Sequence, residues 1–390
     1  MSSDLGSSEP DSPALDSRAL DPAALDSPAL GRAEAGTAAL ERLSAGTLAW
    51  LGQNLDHFDP YSVRARSSAH GKAKAALELA LLCHCSARLD TGDDVRLGKA
   101  TALVRTLWQH PDFPRLLTAE PRYAAQYRLV YAALAPDGID RTPCRAALAG
   151  LTDDDLSPRG KSAYQRLELR YYADKAGVRH TLEPYEELAR QNVLVTLSRA
   201  VRERTARERS SPDDAAPATE APATGAPVTV PEAYAVTHSA FYLSDFGRSR
   251  PVLTAEESAA AAELVSPLLE HCVRHDWWDL AAELLMTQVC LGLDPLSTPA
   301  GLAAVDCLAR AQRPDGAIPG RSAATAGTEA PAAPAVPAAP AVPAAPAPSA
   351  TPATMPPTAA GPADGYFEKA YHTTLVTALM SLLVSSARAS

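Results

Sequence analysis

The sequence predicts an all-α protein, and three observations carry that prediction. Apolar residues recur at three- and four-residue spacing through most of the chain, the period of a helix with one buried face. Alternating Val/Ile/Thr/Tyr runs closed by Asn-Gly or Asp-Gly turns, the mark of β-hairpins, do not occur. Hydroxyl–acid starts and Pro/Gly stops punctuate the periodic stretches, as helix ends require.

In chain order, helices are expected over 37–54, 66–88, 93–109, 121–135, 142–150, 157–175 and 182–206. After a break they resume over 231–245, 254–274, 277–292, 298–312 and 364–387, about twelve in all. Pro111, Pro114, Pro136-Asp-Gly138 and Pro158 separate the early helices. Thr254-Ala-Glu-Glu257 is a capping box, in which hydroxyl and carboxylate each satisfy an orphan N–H. Thr298-Pro299 sets a hydroxyl cap before a first-turn proline. Asp276-Trp-Trp-Asp279 places acids at the cap and first turn of the 277–292 helix.

Three stretches break the pattern. Residues 1–36 carry a degenerate Pro-Ala-Leu-Asp repeat, 207–230 are rich in Pro, Ala, Thr and Asp, and 322–362 repeat Pro-Ala-Ala-Pro-Ala-Val. Their lack of bulky apolar side chains leaves nothing to offset the entropy of ordering the backbone. They divide the chain into a disordered N-terminus, a helical half over 37–206, a linker, a second half over 231–321, an Ala/Pro insertion and a final helix over 363–390. Short links between irregular helices suit antiparallel hairpins closed into an α/α toroid; the alternative is two bundles split at 207–230. The insertion interrupts a hairpin and is expected to be tolerated, because long flexible loops cost little.

Charge and composition exclude some functions. A net charge of −10 argues against a nucleic-acid partner, which needs a basic face. The one Arg-rich run, Arg199–Arg209, includes Glu203 and Glu208 and reads as a solvated helix end. No apolar run is expected to span a membrane, and the acidic N-terminus lacks a signal-peptide pattern, so a cytoplasmic location is expected. The six cysteines lack tight spacing and suit free thiols.

The helix over 231–245 carries the most pointed pattern. Tyr234, His238, Phe241, Tyr242 and Asp245 share one face, while Ala233, Thr237, Ala240 and Ser244 form a small opposite face. A stripe mixing His, Tyr and Asp reads either as a lined cavity or as core around a bonded histidine. Tyr371-His372 opens the last expected helix, where a helix N-terminus would keep the imidazole neutral and fit it as a general base. His275, in the corner between two helices, is a third candidate because capping explains its neighbouring acids. Cys83-His84-Cys85 cannot converge on one ion from a helix, since adjacent positions point apart. Cys272, Cys290 and Cys307 lack zinc-ligand spacing, so neither metal nor other cofactor is expected. Phosphate loops, nucleophile elbows and His-Glu-x-x-His are missing from the sequence.

Two resemblances bear on function. Leu308-x-x-x-Gln312-x-x-Asp315-Gly316 is similar to the glutamine–tryptophan repeat of toroidal triterpene cyclases and prenyltransferase subunits, where Gln and Gly tie hairpin turns together. An isoprenoid-type cyclase is one reading this implies. Thr237-His-Ser-Ala-Phe-Tyr-Leu-Ser-Asp-Phe-Gly247 and Tyr371-His-Thr-Thr-Leu375 resemble an uncharacterised all-helical actinobacterial family encoded beside peptide natural-product (lanthipeptide-type) genes. The Ala/Pro/Arg/Asp-heavy composition is likewise similar to that of high-GC actinobacteria. The second resemblance implies a lanthionine-type cyclase acting on a modified precursor peptide, adding a cysteine thiol to a dehydroamino acid. The Trp-Cys and Cys-His-Gly ligands of the zinc-dependent cyclases are not in this sequence, so the expected reaction is metal-free. His238 or His372 would then be the base and Tyr242 the proton donor, with Tyr234, Asp245, His275 and Tyr371 contacting substrate. The competing expectation is a non-catalytic scaffold that grips a leader peptide or a partner biosynthetic enzyme.

Overall fold

The computed structural model describes residues 28–66, 68–89, 95–210, 228–320 and 362–389. Among the described residues every regular element is helical. The helices are α1 (Pro28–Gln53), α2 (Leu55–Phe58), α3 (Ala69–Ser86), α4 (Val95–Gln109), α5 (Phe113–Leu117), α6 (Pro121–Ala133), α7 (Thr142–Leu148) and α8 (Ala163–Ala176). They continue as α9 (Tyr185–Gln191), α10 (Val193–Ser210), α11 (Val230–Ser244), α12 (Ala255–Arg274), α13 (Trp278–Cys290), α14 (Pro299–Ala311) and α15 (Pro362–Ala389), with a 3₁₀ turn at Pro295–Ser297.

Local chemistry sets many boundaries. Ser162/Gln165, Thr229/Glu232 and Thr254/Glu257 form complete capping boxes at the starts of α8, α11 and α12. The Thr298 hydroxyl accepts from the Gly301 N–H at the start of α14. The expected 182–206 helix divides into α9 and α10 at Asn192, whose backbone is extended and whose Oδ1 accepts from Leu194 N at 3.0 Å. A side-chain cap there competes with a continuous helix.

Six helices pack in a closed cycle: α3 on α6, α6 on α8, α8 on α11, α11 on α13, α13 on α15, and α15 back on α3. The others lie against this cycle. α4 packs on α3 and α1, α10 on α11 and α12, α12 on α13 and α14, and α1 on α14 and α15. Helices from either side of 207–230 therefore touch directly, and the two-bundle alternative is not what the contacts describe. Buried Trp108, Phe113 and Tyr131 anchor the α4–α6 region, where the Trp108 indole donates to Tyr131 O at 2.9 Å.

Two expectations need correction. Residues 28–36 were assigned to a disordered N-terminus but belong to α1, which lies so close to α14 that a Cβ on Gly36 would sit 2.6 Å from Leu302 Cδ2. Packing supplies what that segment's own composition lacks. Second, Gly365–Ala389 is long and apolar enough to cross a membrane by length and composition, and 78% of its most apolar window is buried inside the protein. Of the remaining low-complexity assignments, residues 1–27, 211–227 and 321–361 lie outside the described residues.

The Gln312–Gly316 turn fixes the end of α14 onto α1. Gln312 Nε2 donates to Leu43 O at 3.2 Å and to Gly316 O at 3.3 Å. Gly316 has φ +94°, and a Cβ there would fall 2.1 Å from Gly46 O. The same loop then binds α15: Ile318 N donates to Thr374 Oγ1 at 2.9 Å and Gly320 N to Lys369 O at 3.2 Å.

Candidate active site

Every neighbouring pair in the helix cycle is joined by a polar side-chain contact. Between α3 and α6, His70 Nδ1 meets the Tyr127 hydroxyl at 2.8 Å. Gln126 of α6 donates to Glu168 Oε1 of α8 at 2.9 Å. Tyr242 of α11 donates to the same Glu168 oxygen at 3.0 Å, and Tyr164 of α8 meets His238 Nδ1 at 2.9 Å. From α11, Tyr234 donates to Asp279 Oδ2 of α13 at 2.7 Å and Thr237 to Glu283 Oε2 at 2.5 Å. His238 Nε2 lies 3.4 Å from Glu283 Oε1. His372 of α15 reaches Asp279 Oδ1 through Nε2 at 3.6 Å and Glu78 Oε1 of α3 through Nδ1 at 3.2 Å.

Sequence spacing explains how these groups meet. Asp279 and Glu283 are four apart on α13 and share a face, as do Tyr234 and His238 on α11, Tyr164 and Glu168 on α8, and Lys74 and Glu78 on α3. Both imidazoles lie deep among protein atoms, yet His238 and His372 keep 33% and 36% of their side-chain surface open. Both rings therefore lie at the solvent-accessible edge of the network, with Glu283 beneath them at 3% exposure.

Burial alone would lower both imidazole pKa values, but the facing carboxylates reverse the outcome. Asp279 and Glu78 hold His372 up at about 9, and Glu283 raises His238. Burial pushes Glu78 upward, but Lys74 and His372 bring it down to about 2. Glu283 is likewise lowered by His238 and Thr237 against its desolvation. Asp279 goes the other way, raised by burial more than His372 lowers it. Glu168 is also raised by burial, with His238 only partly opposing.

The neutral histidine expected from a helix start is therefore corrected. His372 is the eleventh residue of α15, beyond the first turn where the dipole acts. Two opposite charges at 4 Å are worth roughly 4 kcal/mol at an effective dielectric of 20, against ~1 kcal/mol for a helix terminus. The carboxylates win.

Of the residues singled out in the sequence, Tyr234, His238, Tyr242 and His372 join this network. Tyr371 borders it: its ring stacks on Phe367 at 5.2 Å, lies under Arg66, and its hydroxyl bonds Glu78. Asp245 does not join it. It caps α11 in a left-handed conformation and binds Lys175 at 2.7 Å, Arg88 at 3.1 Å and the Tyr171 hydroxyl at 2.8 Å. Seven residues separate it from His238, about 10 Å along a helix. His275 is also apart, exposed at the end of α12 with Nδ1 on the His271 carbonyl. The capping geometry that left it unexplained in sequence also turns it away.

All six cysteines are free and buried. Burial pushes Cys83, Cys85, Cys272 and Cys290 up to about 12, so these thiols are inert. His84 is lowered to about 4 by burial and Arg88. Arg199 and Arg202 pair with Glu256, Glu257 and Glu263 of α12, the solvated helix end expected of the Arg-rich run.

Glu78, Gln126, Tyr164, Glu168 and Glu283 were not read from the sequence. One signal could have found Glu283: it interrupts the apolar run Leu280–Met286, all of which is buried. An acid inside such a run needs a partner.

The fold and site together define an all-α protein whose cyclic helix packing carries a histidine–carboxylate centre. A family model described as a domain of unknown function, DUF6895, matches residues 44–382, and the chain belongs to that family. Neither the curated proteins nor the solved structures contain a match.

Proposed function

We propose that this protein is an α/α-toroidal enzyme of peptide natural-product biosynthesis that closes a thioether ring on a modified precursor peptide. The carrying observation is the polar network that links all six helices of the cycle and leaves its two histidines partly open to solvent. A leader-peptide scaffold would rely on apolar anchors in a groove and has no use for four carboxylates gathered on two histidines. The closed contact cycle supports the toroid, and the Gln312–Gly316 tie supports its likeness to toroidal cyclases.

Chemically, a peptide cysteine thiol adds to the β-carbon of a dehydroamino acid. The S–H bond breaks, a C–S bond forms, and the α-carbon of the resulting enolate takes a proton. Glu168 is the proton acceptor, because burial raises its pKa and it already accepts the Tyr242 hydroxyl, which sets it beside the proton donor. Tyr242, already donating to Glu168, gives its proton to the α-carbon and is reprotonated by Glu168. Thiol proton and product proton balance, so nothing is consumed. His238 and His372 supply positive charge beside the developing enolate, the role of preorganised electrostatics. The roles differ from the sequence expectation: the histidines stabilise charge and a carboxylate is the base. A cytoplasmic location fits this chemistry, since the substrate thiol must be reduced.

The test is incubation of the purified full chain with a dehydrated, cysteine-containing peptide, followed by maleimide labelling and mass spectrometry. Ring closure leaves the unlabelled mass unchanged and removes one labelled thiol per ring. Glu168→Gln and Tyr242→Phe should each slow thiol loss by ~10²–10⁴-fold. Wild-type rates in both variants, or no thiol loss with the wild-type chain, would refute the proposal.

A further inference from the structure

We infer that Asp279, Glu283 and His372 bind one divalent transition-metal ion, with His238 placed at its edge. The inference deepens the reading above by naming a cofactor for the same centre: with the ion bound, His372 is a neutral ligand and the ion supplies the positive charge that the imidazolium supplies without it, while the geometry is independent of the reaction. Ligand-capable atoms of these three residues all lie within 4.8 Å of one another. Two donors on a tetrahedral ion at about 2.1 Å lie roughly 3.4 Å apart. Asp279 Oδ1 and His372 Nε2 are 3.6 Å apart, close to that edge, and Glu283 lies within 4.8 Å of both.

A second observation points the same way. Each donor is already held from behind by a different residue, which is how metal ligands are oriented. Tyr234 donates to Asp279 Oδ2 at 2.7 Å, and Thr237 to Glu283 Oε2 at 2.5 Å. Glu78 faces Nδ1 of His372 at 3.2 Å, and Tyr164 meets Nδ1 of His238 at 2.9 Å. In both histidines it is Nε2 that is turned towards the α13 carboxylates. Glu283 is 3% exposed and Asp279, one turn away, 13%, so a buried and a largely buried carboxylate lie side by side. Buried charges of one sign call for cations, protons or a metal.

Donor chemistry selects the ion. Imidazole nitrogen with two carboxylates suits zinc, manganese or iron(II), whereas calcium and magnesium prefer oxygen alone. This set is unlike the cysteine-containing zinc ligands of toroidal lanthionine cyclases. Three protein ligands leave a position for water or substrate, and the open surfaces of His238 and His372 show that side is reachable. An ion held there would polarise a carbonyl or thiol brought to it.

The test uses the full chain, stripped with chelator and titrated with zinc chloride and separately with manganese chloride, without any peptide. Calorimetry and elemental analysis should find one ion per chain and a higher melting temperature when it is bound. The double variant Asp279→Asn/Glu283→Gln, folded by circular dichroism, should lose uptake. Tyr234→Phe and Thr237→Val, which keep every ligand, should each weaken binding by ~10–100-fold and serve if the double variant does not fold. No uptake by the wild-type chain overturns the inference. So does uptake that survives the double variant, which assigns the ion to cysteines or surface groups, and so do unchanged affinities in both outer variants. Uptake without ring closure would instead sink the proposed reaction and leave the metal site standing.

Discussion

Gly316→Ala separates two effects that the Gln312–Gly316 turn combines. The position has φ +94°, where an L-residue is strained by ~1–2 kcal/mol. The new Cβ would also lie 2.1 Å from Gly46 O and 2.7 Å from Gly46 C, both rigid backbone atoms of α1. Relieving that overlap lifts the turn from α1, at about 1–3 kcal/mol for overpacking. It also lengthens the Gln312 bonds to Leu43 O and Gly316 O, each worth about 1 kcal/mol. The sum is about 4–7 kcal/mol. Gly160→Ala is the control, because Gly160 has φ +70° but nothing within 4 Å of a Cβ, so only the backbone share of ~1–2 kcal/mol applies. Urea unfolding followed by circular dichroism should place Gly316→Ala well below Gly160→Ala in midpoint. Equal midpoints would show that the close approach to α1 carries no energy. Because Lys369 and Thr374 of α15 hang on the same loop and bracket His372, the variant should also weaken zinc uptake.

Three further outcomes follow from the site and its surroundings. Glu168 keeps its proton to higher pH in the folded chain than its ordinary value of 4.5, so the native state binds more protons between those values and stability falls as pH rises through that window. Glu168→Gln should therefore be more stable than wild type at neutral pH, with the advantage shrinking as pH falls towards 4.5; an advantage independent of pH would contradict the assignment. Native protein should show almost no reaction with a thiol reagent, against six thiols after denaturation, and rapid native labelling would contradict the burial of the cysteines. Asp245→Asn should destabilise by about 1–3 kcal/mol through its contacts to Lys175, Arg88 and Tyr171, while exposed His275→Ala stays within ~0.5 kcal/mol; both are read by thermal unfolding.

The helices were legible because their ends are written locally. Thr254/Glu257 and Thr298-Pro299 state where α12 and α14 begin, whatever surrounds them. The stripe on α11 was legible for the same reason, since periodicity places Tyr234, His238 and Tyr242 on one face. What that face meets was not. Glu78, Glu168 and Glu283 come from three other helices, and no local rule says which acid turns inward. Asp279 shows the ambiguity: its position at the start of α13 is explained by helix-start chemistry, and it also bonds Tyr234 and lies beside His372. Asp245 shows the reverse, an acid on the right helical face whose terminal position sends it to Arg88 and Lys175.

Three of the four acids fall near helix starts, and only one of them within reach of the helix field. Tyr164 and Glu168 fall in the first two turns of α8, Asp279 and Glu283 in the first two of α13, and Tyr234 and His238 in the first three of α11. A helix start presents unpaired N–H groups and about half a positive charge, which favours anions. Only Asp279, the second residue of α13, lies within the first turn where that field acts; Glu283 and Glu168 are sixth in their helices and Glu78 is tenth in α3, so each histidine must be held by direct pairing. Each is: His372 by Asp279 and Glu78, His238 by Glu283. Removing a carboxylate should therefore disturb the centre more than removing a tyrosine, because it leaves a buried cation without its partner. Comparing Glu283→Gln with Tyr164→Phe by thermal unfolding tests this, and a larger loss from Tyr164→Phe would show that hydrogen bonding, and not charge balance, holds His238 in place.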